Sequence, residues 1–214
     1  MMRAHALLVA CFVTSCGDQQ HGVVLAPVNA GVSADLHVGD YVVYRFSGSY
    51  TSSPVTLREQ VTALEGGRVT IDVRATRGHE ERHWIQVGPD SAEARWNDTV
   101  DEIYVVGDHG AKQRLPNPDN QTLARLYEWV IVDADGEATS HETAACEQAI
   151  ASARIACTCD RATRVHERMT VRSDESRCVG FAWQRGPARW VGVDGQVVWQ
   201  VDVVETSPNT SPAR

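Results

Sequence analysis

The sequence predicts an α+β fold, mainly antiparallel β, built as a curved meander sheet of half-barrel type with one or two short helices. Three observations predict it. From Tyr41 onward the apolar residues recur with period two in short segments, and these segments are separated by Gly and Asp turns, the pattern of hairpins rather than of crossovers. Only two stretches break that alternation and take helical spacing. The composition of the 214 residues, 43% hydrophobic and 22% charged, suits one packed domain and is too polar, at a mean hydropathy of -0.29, for an integral membrane protein.

Each element follows in order. Leu57, Val61 and Ala63 are set facing Val69, Ile71 and Val73 if the loop Glu65-Gly66-Gly67 has three residues. Arg58, Gln60, Thr62, Thr70, Asp72 and Arg74 then fall on the wet face. A third strand from Glu80 to Val87 extends the apolar face through His83, Ile85 and Val87. Later strands are predicted at Glu102-Val106, Trp129-Asp133 and Thr163-Val171, with three more at the C-terminus. After Pro118, Leu123 and Leu126 lie at helical spacing within Asp119-Glu128, so a short helix is expected there. Thr139-Ser140-His141-Glu142 resembles a capping box before an alanine-rich run to Ala156, with Cys146, Ala149, Ile150, Ala153 and Cys157 on one stripe. Helix is the leading reading of that run. The alternative is a hairpin turning at Ala151-Ser152, which sets Cys146 opposite Cys157 and makes a disulfide between them natural. At the C-terminus, Asp194-Gly195 is read as a two-residue turn that places Trp190 opposite Trp199. A second turn at Gly186-Pro187 would add Trp183 to the ladder.

The N-terminus carries an address. Met1 to Ser15 has the layout of an export signal: Arg3, an apolar run Ala6-Leu7-Leu8-Val9-Ala10-Cys11-Phe12-Val13, and small residues before a cysteine. Val13-Thr14-Ser15-Cys16 resembles the lipobox of bacterial lipoproteins, which implies cleavage before Cys16 and a lipid on its sulfur. Leu8-Val9-Ala10-Cys11 fits the same pattern but shortens the apolar run. Gly17, following the cysteine in place of Asp, implies sorting to the outer membrane under the family's rule. The expected organisation is a signal peptide over 1-15, a lipidated tether over 16-35, one β-rich domain over 36-205 and a disordered tail over 206-214.

Charge narrows the partners. Twenty basic against 28 acidic side chains give a formal charge of -8, the wrong sign for nucleic acid or for an anionic lipid surface. Removing residues 1-15 takes away Arg3 and no acid, which moves the charge from -8 to -9. Lipid rather than charge is therefore expected to hold the chain to a membrane. The remaining cysteines Cys146, Cys157, Cys159 and Cys178 are even in number in an oxidising compartment, so two disulfides are expected. Cys157 and Cys159 are not expected to pair with each other, and a Cys-x-Cys with distant partners lacks the paired knuckles of structural zinc.

Candidate chemistry is sparse. His79-Glu80-Glu81-Arg82-His83 matches His-Glu-x-x-His, in which two histidines on one helical face bind zinc and the glutamate activates water. Here the segment runs into a strand, where residues four apart lie about 13 Å from each other, too far to share one ion. Glu102 or His109 would have to supply a third ligand. Asp133, Asp135, Gly136 and Glu142 fall at calcium-loop spacing, but the first position is Ile131. No nucleophile motif or phosphate loop is present in the sequence. Of the six tryptophans, Trp183, Trp190 and Trp199 read as core or as an aromatic platform.

The order of long strands, interruption and further strands across residues 40-205 loosely resembles the half-barrel lipoproteins of the LolA and LppX type, which hold acyl chains between sheet and helix. No functional motif of that family is present, so no site residue is implied. The resulting expectation is a non-catalytic binding or structural module of the cell envelope, without a cofactor or metal, that takes an apolar ligand or an envelope partner. The alternative is a secreted zinc metallohydrolase using His79, Glu80 and His83.

Overall fold

In a computed structural model, the structure describes residues 35-91, 94, 99-115, 120-130, 138-166, 169-178, 180-183 and 185-207. Cys11, Cys16, Asp133, Asp135, Gly136 and Trp96 lie outside them. Eleven strands form one sheet among the described residues. They are β1 (Tyr41–Ser47), β2 (Val55–Glu65), β3 (Arg68–Arg77), β4 (Glu80–Pro89), β5 (Glu102–Val106), β6 (Lys112–Leu115), β7 (Ala138–Ile150), β8 (Ala153–His166), β9 (Met169–Cys178), β10 (Ala188–Gly192) and β11 (Val197–Thr206). The helix α1 spans Asn120–Leu126. No described helix is long and apolar enough to cross a membrane. The expected antiparallel meander with few helices is what the chain forms.

The sheet order is β10-β9-β8-β7-β11-β1-β2-β3-β4-β5-β6, and β10 also pairs with β11. β11 is thus shared by two halves. Through β1 it joins the N-terminal meander β1 to β6, and through β10 it joins the C-terminal meander β7 to β10. β11 meets β7 in parallel at Val203 and Ile150 alone, which joins β7 and β11 at one end and leaves the rest of β7 unpaired on that side among the described residues.

Register is set by burial, and bulges absorb the difference in turn length. Leu57 pairs with Ala75 and Val61 with Ile71, as a three-residue loop would give. The loop itself has two residues, Gly66 and Gly67, because Glu65 pairs with Arg68. The missing residue reappears as a bulge between Val61 and Ala63. At the C-terminus Gly192 bonds back to Gln196 across a longer turn, and a bulge beyond Trp190 restores the expected pairing of Trp190 with Trp199.

Four expectations need correction. First, His83, Ile85 and Val87 do not share the core face of β4. The turn Gly78-His79 pairs Arg77 with Glu80, so Val73 meets Trp84, which is fully buried. Second, residues 142-156 are no helix. They belong to the β7–β8 hairpin, which turns at Ala151-Ser152 as in the alternative reading. Third, Trp183 stands in the connection between β9 and β10, and the strand partner of Trp190 there is Ser173. Fourth, residues 163-171 are not one strand, since β8 ends at His166 and β9 begins at Met169. Thr206 ends β11, and the buried Ser207 hydroxyl donates to Asp40 Oδ1 at 3.0 Å while accepting from the Tyr41 N–H at 3.2 Å.

The core face carries Val42, Tyr44, Phe46, Val55, Leu57, Val61, Val73, Trp84, Ile103 and Val201. Two segments cover it. Behind α1, Tyr127 packs edge-on against Trp84 with centroids 5.0 Å apart, and Trp199 Nε1 donates to the Val130 carbonyl at 2.9 Å. Trp129 is held between Arg77 and Arg82, 4.4 and 4.0 Å from its ring. Ahead of β10, Ala182 and Trp183 enter the same core.

Candidate functional site

Between α1 and strands β4, β5 and β6 lies a recess of about 600 Å³, lined by Arg82, Trp84, Val105, Leu115, Arg125 and Leu126. Among the described residues, the recess between Trp183, Glu59, Val69, Ile71 and Gln86 is a cavity of only about 40 Å³. That volume admits water and excludes an acyl chain. The aromatic side chains that a platform would display are instead core. Trp84, Trp129, Trp183 and Trp190 are buried, and Trp199 lies against Phe46 and Trp190 at 6.0 and 5.6 Å.

A second large recess lies on the C-terminal meander. A cleft of about 740 Å³ opens where β7 peels away from β11, lined by residues of β7, β8, β9, β10 and β11. Its structure follows from register. Directly opposite partners on neighbouring strands share a face. Glu142 pairs with Arg161, Arg161 with Asp174, Asp174 with Arg189, and Arg189 with Gln200. One polar row of alternating charge therefore crosses all five strands. The next row outward is Ser140, Thr163, Arg172 and Val191.

The four cysteines belong to the same face. Cys146 is opposite Cys157, and Cys157 is opposite Cys178. The bonds are Cys157 to Cys178, straight across β8 and β9, and Cys146 to Cys159, diagonally across β7 and β8. With Cys157 taken by its partner on β9, the nearest thiol left to Cys146 is two residues along the same face. The bridges join β7, β8 and β9 at the base of the cleft, where Cys157 merges with the main core beside Ile150 and Ile155.

The cleft's charges are unevenly satisfied. Arg161 Nε pairs with Asp174 Oδ2 at 3.4 Å, and Gln200 Nε2 donates to both oxygens of Asp202 at 2.9 and 3.0 Å. Arg172 and Arg189 are exposed and make no ion pair among the described residues. These groups were not singled out from the sequence. Charges at alternate positions, as in Arg172-Ser173-Asp174, mark one face of a strand. Which strands place such faces side by side is a matter of topology.

The zinc-type residues are dispersed. His79 is exposed in the β3–β4 turn, while His83 on β4 bonds Asp72 Oδ2 through Nε2 at 2.7 Å. Glu80 accepts from Arg77 at 2.8 Å. Glu102 accepts from Tyr104 and Arg68 at 2.5 and 3.0 Å. Those two hydrogen bonds, Tyr104's the stronger cause, hold its carboxyl below the usual range, and Glu102 in turn raises the Tyr104 phenol. His109 sits exposed in the 3-10 turn Asp108–Gly110. No cluster of three His, Cys, Asp or Glu fit to hold a metal occurs among the described residues. Glu142, from the calcium spacing, is an exposed residue of β7.

No protein-family model and no curated protein matches the chain. Solved structures do resemble it. The MucA/MucB complex of Pseudomonas aeruginosa matches with 8% identity and a TM-score of 0.47, over 84% of this chain and 54% of that one. A protein described as a lipoprotein of Parabacteroides distasonis matches with 8% identity and a TM-score of 0.42, over 84% of this chain and 100% of that one. An exported protein of Bacteroides fragilis with a YmcC-like fold gives 6% and 0.39, over 81% and 97%. The chain spans about half of the first of these.

Proposed function

We propose that the protein is a non-catalytic module of the bacterial cell envelope, anchored through a lipid on Cys16, sorted to the outer membrane, and binding a protein partner in the cleft between β7 and β11. The anchor rests on the small residues before Cys16 and the polar tether after it. One observation carries the binding reading: the cleft of about 740 Å³ is lined mainly by polar and charged side chains drawn from five strands. A polypeptide suits such a cleft, with its mixed charges and exposed backbone, better than an acyl chain does.

Site-specific photo-crosslinkers in cells test this reading. Placed at Thr163 and Arg189 they are expected to capture a protein, while at Thr62 and Arg74 on the outer face of β2 and β3 they are not. Capture of lipid alone from the cleft positions would overturn it. Replacing Cys16 by Ala is expected to move the protein from membranes to the soluble fraction. Acylated, membrane-bound protein after that change would shift the anchor to Cys11. Elemental analysis checks the absence of catalysis: the purified domain is expected without zinc, and one zinc per chain, lost together with hydrolytic activity on His79→Ala, would reverse the reading.

A further inference from the structure

We infer that the free edge of β7 accepts an extended, acid-bearing segment of a partner protein as an added β-strand inside the cleft; this deepens the binding reading above and rests on it. The sheet ends in two free edges among the described residues. One is β6, four residues long and carrying Lys112 and Arg114, which is how a short charged edge is guarded against strand addition. The other is β7. It is 13 residues long, it contains no Lys, Arg or Pro, and its only bridge on that side is Ile150 with Val203.

The outward backbone groups of β7 are defined by its hairpin. Ile150 and Ala153 flank the two-residue turn and form its hydrogen-bonded pair, so the even-numbered residues of β7 bond towards β8. The odd-numbered residues Thr143, Ala145, Glu147 and Ala149 then turn N–H and C=O to the cleft side. In agreement, the Ala151 N–H already crosses to the Val203 carbonyl at 2.8 Å. These side chains are mostly small, and no hydrogen bond from a described residue occupies the main-chain groups of Thr143, Ala145 and Glu147, while Ala149 adjoins the single Ile150–Val203 bridge.

Charge selects the occupant. Side chains of an added strand alternate between the cleft face and the opposite one. On the cleft face they meet Arg172 and Arg189, the two cations there without an ion pair among the described residues. Arg161 and Asp202 already have Asp174 and Gln200. Glu142 stands on β7 itself and disfavours a carboxylate beside it. The fitting segment is therefore extended and carries carboxylates towards the far wall, in the mode by which edge strands recognise peptides.

The probe is a seven-residue peptide alternating valine and glutamate, titrated against the whole mature chain with both disulfides intact. Binding is expected, with tenfold or greater weakening by the double change Arg172→Gln and Arg189→Gln and strengthening by Glu142→Gln. The matching valine–lysine peptide and a version N-methylated at alternate amides are each expected to bind at least tenfold more weakly. Ala145→Pro removes one outward N–H and is expected to abolish binding. Because that variant could misfold, amide exchange in the wild-type chain gives an independent readout, with slowing expected at Thr143, Ala145, Glu147 and Ala149. Equal binding of the lysine or N-methylated peptide, or no slowing at those amides, would overturn the inference. Self-association of the free chain through β7, lost in Ala145→Pro, would overturn it too by making a second copy the occupant. Cleft crosslinks that persist in cells while the peptide fails would leave the cleft reading standing and sink strand addition alone.

Discussion

Removing the Cys146–Cys159 bridge by a paired change to alanine tests the base of the cleft. The bridge spans a sequence separation of 13, and Cys157–Cys178 spans 21. In the chain-entropy account, closing loops of these sizes restricts the unfolded chain by about 2.9 and about 3.3 kcal/mol at 25 °C. Cys159 is almost wholly buried, so loss of its sulfur adds a packing cost and the first figure is a lower bound within that account. With a urea m-value of about 1-3 kcal/mol/M, the midpoint is expected to fall by about 1-3 M. Tryptophan fluorescence reads the transition, since Trp190 and Trp199 report on the neighbouring strands. A paired variant within about 1 kcal/mol of the parent would refute the reasoning, because it would mean that the β7–β8 hairpin persists in the denatured chain. Peptide mapping without reduction checks the pairing itself. A bond between Cys146 and Cys157 would contradict the diagonal arrangement.

Four further outcomes are expected. Trp84→Ala opens a cavity beside Tyr127 at a fully buried position and is expected to cost about 3-5 kcal/mol in thermal or urea unfolding. The Tyr44 hydroxyl is buried near the Arg185 backbone without closing a regular hydrogen bond, so Tyr44→Phe is expected to be neutral or stabilising by about 1 kcal/mol. Burial raises the Tyr44 phenol well above its usual range and the Tyr50 phenol to about 12. A phenol that holds its proton more tightly when folded stabilises fully below the unfolded value near 10 and loses that contribution as pH rises through the folded one. Stability is therefore expected to decline above about pH 10, less steeply in Tyr50→Phe, as followed by circular dichroism. In an NMR titration Glu102 is expected to protonate below the usual carboxylate range, and Tyr104→Phe is expected to move that midpoint up by removing the largest cause of the shift.

What could be read from the sequence was decided locally. The span Glu102-Val106 agrees with β5, and the pairing of Trp190 with Trp199 follows from face parity, which a bulge restores even when the turn has another length. The β7–β8 hairpin was hidden because every local signal there favours helix: a capping box, a run of alanine, and a turn of Ala151-Ser152 lacking Asn or Gly. Ala151 adopts φ +50°, a conformation alanine seldom takes, and the hairpin tolerates it. Two disulfides and the burial of Ile150 and Ile155 outweigh that local preference. β4 failed differently. Alternation marks two faces equally well, and the choice between Ile85 and Trp84 falls to the larger side chain and to a turn only two residues long.

The cleft was illegible for a stronger reason. Its polar row draws Glu142, Arg161, Asp174, Arg189 and Gln200 from five strands, and no two of them are neighbours in sequence. Each alone is an ordinary solvated charge worth little to stability. The fold nevertheless brings them to one face and fixes three of the five strands from below with disulfides. The Val203–Ile150 bridge ties β7 to β11 at one end only. Continued pairing along β7 would have closed β7 to β11 into a ring and buried its edge. The opening between β7 and β11 instead leaves two arginines and a length of unpaired backbone facing the same space, which is what a recognition surface for an extended chain requires.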